Sequence, residues 1–208
     1  MKKPTLRFLI FFSVMALFFE ACSSPKKSNE TFETTPQDSI NSTEILTETD
    51  DLDTFQVQGN AIAKASFKAL SGKLKGAVQS GGIASAIQYC NVHAIPLTDS
   101  LSRVYNTEIQ RVSDRNRNSV NALSASDSVV FADFQANPNQ DSKVMKYGEN
   151  ILFYKPILLK PLCLNCHGEL GKTLPEANQK VITELYPEDK AVGYQIGELR
   201  GMWKIRFR

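Results

Sequence analysis

Five consecutive residues of this 208-residue chain can do chemistry as a unit: Cys163-Leu164-Asn165-Cys166-His167. Two thiols separated by two residues and followed at once by an imidazole make the C-x-x-C-H run that attaches c-type haem. The two-residue gap lets both sulfurs reach neighbouring vinyl groups on one macrocycle edge, where they form thioethers, and His167 is carried beneath the iron as proximal ligand. The same residue types allow other chemistry. A C-x-x-C pair can be a redox disulfide, although no thioredoxin-like βαβ pattern surrounds this one. A tetrahedral zinc site could combine Cys163, Cys166 and His167 with Cys90 or His93. A structural disulfide is the remaining alternative.

The chain has 4 Cys and 2 His, so candidates for the second axial position are few. Cys90 and His93 stand at i and i+3 in Tyr89-Cys90-Asn91-Val92-His93 and would share one face of a helix. Met145, Met202 and an open position complete the set. The choice matters, because a thiolate stabilises ferric iron and favours a low potential whereas methionine opposite histidine raises it. Axial ligation moves haem potentials over about 0.8 V.

These residues need elements to position them. From Leu52 to Val78, Phe55, Ile62, Ala69, Leu70, Leu74 and Val78 fall on a helical stripe. Gly81-Gly82 ends it, and a second stripe (Ile83, Ala86, Ile87, Cys90, Ala94, Leu97, Leu101) carries the candidate thiol. Pro96 predicts a kink or interruption there. Downstream the texture becomes strand-like: Thr107 to Val112 alternates, Asn150 to Leu159 is apolar and β-prone, and Gly201 to Phe207 reads as a closing strand. Short helices are expected over Asp127 to Phe134 and Glu176 to Tyr186. Helices first and a mostly antiparallel sheet afterwards is an α+β arrangement. Tyr154 and Pro156 read as builders of the strand and turn before the C-x-x-C-H run, and Trp203 and Phe207 as core or haem-wall residues.

Ahead of this domain lies a different kind of sequence. Lys2, Lys3 and Arg7 precede an apolar run from Phe8 to Phe19, broken only by Ser13. About twelve apolar residues suit a signal-peptide core but fall short of the roughly 20 that span a bilayer. The run ends in Phe19-Glu20-Ala21-Cys22, which resembles the lipobox of bacterial lipoproteins, so residues 1–21 read as a signal and Cys22 as a lipidated mature N-terminus facing the periplasm. Residues 22–53 are rich in Ser, Thr, Asp and Glu and read as a disordered acidic tether, leaving 54–208 as the folded domain.

Charge follows these divisions. The whole chain carries +2, but residues 22–53 hold Lys26 and Lys27 against eight Asp and Glu, a net of −6, and residues 54–208 hold 19 Lys and Arg against 13 Asp and Glu, a net of +6. The sum gives no argument for nucleic acid.

Several ordered motifs resemble a bacterial family of single-haem c-type domains with a PAS-like fold. They are Gly81-Gly82-x-x-x-Ala86-Ile87-x-x-Cys90, Ser113-x-x-x-Arg117-Asn118-x-x-Asn121, Tyr154-x-Pro156-Ile157, Cys163-x-x-Cys166-His167-Gly168 and Ala191-x-Gly193-Tyr194-x-x-Gly197-Glu198-x-Arg200-Gly201. The resemblance covers essentially the whole folded domain. It implies a PAS-like sheet enclosing one haem, with His167 and Cys90 as the axial pair; His93, where this sequence departs from the family, is a second candidate three residues from Cys90. Arg117, whose guanidinium fork matches a carboxylate, and Asn118 are candidates for contact with a haem propionate.

The function expected is that of a membrane-tethered monohaem protein that passes single electrons to an extracytoplasmic redox partner or reports redox state. A haem-based sensor of small gases acting through a separate partner is the alternative, and a zinc or disulfide lipoprotein a lesser one. No catalytic triad, phosphate-cradling loop or paired-carboxylate pattern supports an enzyme.

Overall fold

The computed structural model describes residues 48–208, with side chains from Asp51 onward; the signal, Cys22 and residues 22–47 of the tether lie outside the described residues. Helix α1 runs Glu48–Val104 and consists of two arms, 48–80 and 83–104, that meet at Gly81 and Gly82. Gly82 takes φ 71°, a conformation that L side chains rarely adopt, so the glycine lets the chain turn where the sequence stripe stops. The first arm begins upstream of residue 54, where the sequence places the start of the domain. Glu48, Asp50, Asp51 and Asp53 occupy its opening turns, and carboxylates are favourable at the positive end of a helix. The acidity that reads as tether therefore also starts the helix.

Pro96 does not interrupt the second arm, in which non-helical angles are confined to the two glycines. The carbonyl that loses its partner to a proline belongs to the residue four positions earlier. Here that is Val92, which is 59% exposed, so water can serve it.

Four strands follow: β1 (Thr107–Val112), β2 (Lys143–Tyr147), β3 (Asn150–Leu158) and β4 (Leu199–Phe207). They form one antiparallel sheet in the order β1-β4-β3-β2. The last strand thus sits between the first and the third, as in the PAS-like arrangement. β2 escapes the sequence reading because it is five residues long, only half-buried and flanked by lysine. Gly148, at φ 61°, turns it into β3.

Strand alternation divides the sheet into two faces. Ile109, Phe153, Trp203, Ile205 and Phe207 pack against both arms of α1, through Ile62, Ala63, Leu70 and Ala94. Each large side chain buried this way contributes roughly 1.5–3 kcal/mol. The arm lies so close to the sheet that a Cβ on Gly59 would stand 2.3 Å from the Phe153 ring. The opposite face, with Val112, Leu152, Tyr154 and Met202, is covered by helix α2 (Ala125–Ala136) through Val130, Phe131 and Phe134. A capping box between Ser124 and Asp127 starts α2, and Asp127 then reaches into that layer to accept from the Tyr154 hydroxyl at 2.8 Å and to pair with Lys204 at 2.8 Å.

Two small helices complete the domain, α3 (Leu164–His167) and α4 (Glu176–Leu185). Helix α4 packs on α1 through Ile182 and Ile87, which fixes the C-x-x-C-H segment beside the second arm. The whole is α+β, the two-armed α1 first and then an antiparallel sheet with α2, α3 and α4 set between its strands. Among the described residues no helix is long and apolar enough to cross a membrane.

Candidate functional site

The C-x-x-C-H segment folds as a 3-10 turn, Pro161–Cys163, running straight into the single turn of α3. Pro161 stands at the start of that turn, where its missing N–H is not needed. The Cys163 N–H donates to the Lys160 carbonyl at 2.9 Å and the Gly168 N–H to the Leu164 carbonyl at 2.8 Å. Helical spacing places Cys163 and Cys166 three residues apart on one side, and both are half-buried free thiols. Burial pushes the Cys166 thiol up to about 11, against the pull of the Arg117 charge.

His167 is held by the strand-like segment that follows α4. Its Nδ1 lies 2.7 Å from the Ala191 carbonyl, a contact that assigns the proton to Nδ1 and leaves Nε2 with a free lone pair, the arrangement usual for an imidazole about to bind a metal. The Arg200 Nε is 3.3 Å from the same Nδ1; one nitrogen cannot both donate and accept, and the shorter carbonyl contact takes the proton. Tyr194 N–H donates to the His167 carbonyl at 2.9 Å, and the Tyr194 ring meets the imidazole edge-on, 6.4 Å between centroids. Burial, reinforced by the Arg200 and Arg117 charges, holds the imidazole well below its ordinary value, so it is neutral.

Two adjoining cavities, of about 190 and 100 Å³, open between this segment, the second arm of α1 and the sheet. Cys90, Arg111, Arg117, Asn121, His167 and Arg200 line both. Cys163 and Trp203 join the larger and Asn118 the smaller. Cys90 is half-buried, and desolvation raises its thiol while the Arg111 and Arg117 charges oppose the rise.

The structure therefore brings Cys90, Cys163 and His167 to one space, with Cys166 beside it, and removes other candidates from it. His93 is exposed, stacks on Tyr89 at 4.9 Å, and faces a separate groove between the two arms of α1. Three residues along a helix is 60° short of a full turn, enough to take His93 off the buried edge that Cys90 occupies. Met202 is fully buried on the α2 face of the sheet, and Met145 packs against that same layer. The sheet stands between both sulfurs and the cavities.

Arg117 lies at the site and is anchored there through Nε and Nη2. It forms a bidentate pair with Asp189, both bonds 3.1 Å, and donates to the Cys166 carbonyl at 2.6 Å. In this role it holds the end of α3 and the 189–191 segment together. The Asn118 Oδ1 accepts from the Val120 N–H and so caps a short turn. Phe207 belongs to the core, against Phe55 at 4.8 Å, whereas Trp203 lines the cavity. Tyr154 and Pro156 are structural: Tyr154 bonds Asp127 on the far face, and Pro156 pairs in register with Met202.

Two site residues were missing from the sequence reading, Arg111 and Asp189, and Arg200 stood in it only as part of a motif, with no role. Arg111 had a visible signal, since it shares the parity of Ile109 and so had to point to the buried face of β1. Asp189 carried none.

Among the described residues, no three His, Cys, Asp or Glu side chains converge as metal ligands would, so the donors of a tetrahedral zinc site are not gathered. The donor set fits instead a flat group with apolar faces and acidic edges. It offers two thiols on one turn, an imidazole with a free nitrogen, a further thiol from another element, and guanidinium groups around an aromatic wall.

Among solved structures, the crystal structure of the cyanobacterial haem protein Tll0287 matches with a TM-score of 0.53 at 22% identity, covering 72% of this chain and 93% of that one. At that identity the likeness is one of fold. No curated protein matches. The model of the Tll0287-like family spans residues 27–208, all of the described domain. On that match, the chain belongs to the Tll0287-like family.

Proposed function

We propose that this chain is a single-haem c-type protein, exported and tethered to a membrane through lipid on Cys22, that passes or registers single electrons. The observation that carries the reading is the placement of His167 and Cys90, from elements far apart in sequence, on the walls of the same cavities. Cys163 and Cys166 would hold the haem covalently, His167 Nε2 would take one axial position and Cys90 Sγ the other. Bound there, the iron supplies a one-electron couple. The chain's own part is to fix the imidazole through the Ala191 carbonyl, to bring the thiol on a rigid helix, and to exclude water with Leu70, Leu159 and Trp203. Held by both His167 and Cys90, the group would offer no place to a substrate, which supports the role of a carrier or redox reporter.

The test is the absorption spectrum of protein matured with a haem-attachment system, before and after denaturation and solvent extraction. A Soret band that stays with the unfolded polypeptide is expected. Colourless protein, or haem that leaves on extraction, would overturn the covalent reading. For the anchor, metabolic labelling with a fatty acid should mark the wild type and not Cys22→Ala; equal labelling of both, or of neither, refutes it.

A further inference from the structure

The cavities carry an unbalanced charge. Arg111, Arg117 and Arg200 all line them, and the carboxylate paired there is Asp189, which is bound to Arg117. Arg200 donates only to uncharged acceptors, Ser113 Oγ at 2.9 Å and the Arg115 carbonyl at 3.1 Å, besides its contact with His167. Arg111 makes no hydrogen bond or ion pair among the described residues; its guanidinium stands 5.9 Å from the centroid of the Trp203 ring. Two guanidinium charges are thus left without a counter-charge in a largely desolvated space, an arrangement that costs several kcal/mol per ion unless something neutralises it. The missing complement is a pair of anionic groups.

We propose that Arg111, with Arg200, is the charge partner of the two carboxylates that a haem carries on one edge, and that Arg111 thereby sets the potential of the site. The inference rests on the haem reading above. It gives the propionate contact to the arginine that has no partner, ahead of Arg117, which holds Asp189, and Asn118, whose Oδ1 caps a turn. A guanidinium suits the role because its fork meets a carboxylate with two parallel bonds. It also favours the reduced form, since a fixed positive charge nearby opposes the extra positive charge of ferric iron. Arg111 acts here as a positioning and tuning residue and bonds no reacting atom.

The experiment is a redox titration of the holo-protein, wild type against Arg111→Met and Arg111→Lys. Arg111→Met should shift the one-electron equilibrium toward the ferric form by about tenfold, 59 mV for one electron, the order given by one charge at roughly 10 Å in a medium of effective dielectric about 20. Arg111→Lys keeps the charge and should stay within threefold of wild type. If Arg111→Met titrates with wild type, or Arg111→Lys falls as far as Arg111→Met, the charge role is wrong. Should Arg111→Met not accumulate, Arg111→Lys alone decides, because a purely steric role predicts that lysine fails with methionine. A wild type without a Soret band defeats the haem reading itself, an outcome distinct from any of these.

Discussion

Removing the Asp189 carboxylate is the sharpest perturbation of the site that can be read without any cofactor. The Arg117 and Asp189 side chains are 12% and 6% exposed, and the pair is bidentate with both bonds at 3.1 Å. Asp189 Oδ1 also accepts from the Ala191 N–H at 2.9 Å, and Arg117 also donates to the Cys166 carbonyl. Asp189→Ala therefore strands a buried guanidinium and unpairs a backbone donor in one step. Breaking a buried pair from one side costs about 3–5 kcal/mol. For a protein of this size each kcal/mol lowers the melting midpoint by roughly 2–4 °C, which gives a fall of about 6–20 °C. Arg117→Ala should cost a similar amount. The double variant should cost about 1–3 kcal/mol less than the sum, because no buried charge is then left alone. Urea unfolding followed by circular dichroism yields all three values and the coupling. Burial makes a further demand: the coupling should persist at high salt, where an exposed pair would be screened. A cost under about 1 kcal/mol for either single variant, an additive cycle, or a coupling that vanishes with salt would each refute the clamp.

Three further outcomes follow from the same geometry. Burial pushes the Asp127 carboxyl up, but its bonds from Lys204, Ser124 and Tyr154 outweigh that and hold it below 3.8. Its contribution is therefore complete above 3.8 and lost as pH falls through the lowered value, so the stability gap between wild type and Asp127→Asn should close below 3.8; a gap that stays constant in acid refutes it. Phe153→Ala should cost about 3–5 kcal/mol, and Gly59→Ala, which is destabilising beside the intact ring, should become stabilising in the Phe153→Ala background, where the helix gains about 1 kcal/mol of propensity. Gly59→Ala with one sign in both backgrounds contradicts the close approach. In the holo-protein, Cys90→Ala should change the low-spin ferric spectrum while His93→Ala leaves it unaltered; the reverse would return the distal ligand to His93.

The elements were legible in the sequence to the degree that their signals are local. The two stripes of α1 and the glycine pair between them show in the spacing of apolar residues, and β1, β3 and β4 show in their alternation, with ends within a residue or two. What depends on the neighbours did not show. Pro96 is tolerated because Val92 lies against solvent, which no local pattern states. His93 shares a helix with Cys90, yet which of them faces the sheet is settled by packing of Ala94 and Leu97 against Phe153 and its neighbours. Arg117 attracted attention as a fork for carboxylates, and it does hold one, but that carboxylate is Asp189, 72 residues away. Arg111 was overlooked because alternation was read for its apolar members and not for the charged residue sharing their face.

The place of β4 in the sheet has a consequence for how the domain is born. It is the last strand in chain order and the one that β1 and β3 both pair with. A chain synthesised from its N-terminus thus presents α1, β1, β2 and β3 before the strand that joins them exists. During that interval the wall bearing Arg200 and Trp203 is absent, and Cys163, Cys166 and His167 stand without that cover. Closure of the sheet by residues 199–207 then brings α1, with Cys90, against the finished segment. If the segment takes a covalent group, as proposed above, strand order favours attachment before the sheet closes, and residues 199–207 are the seal.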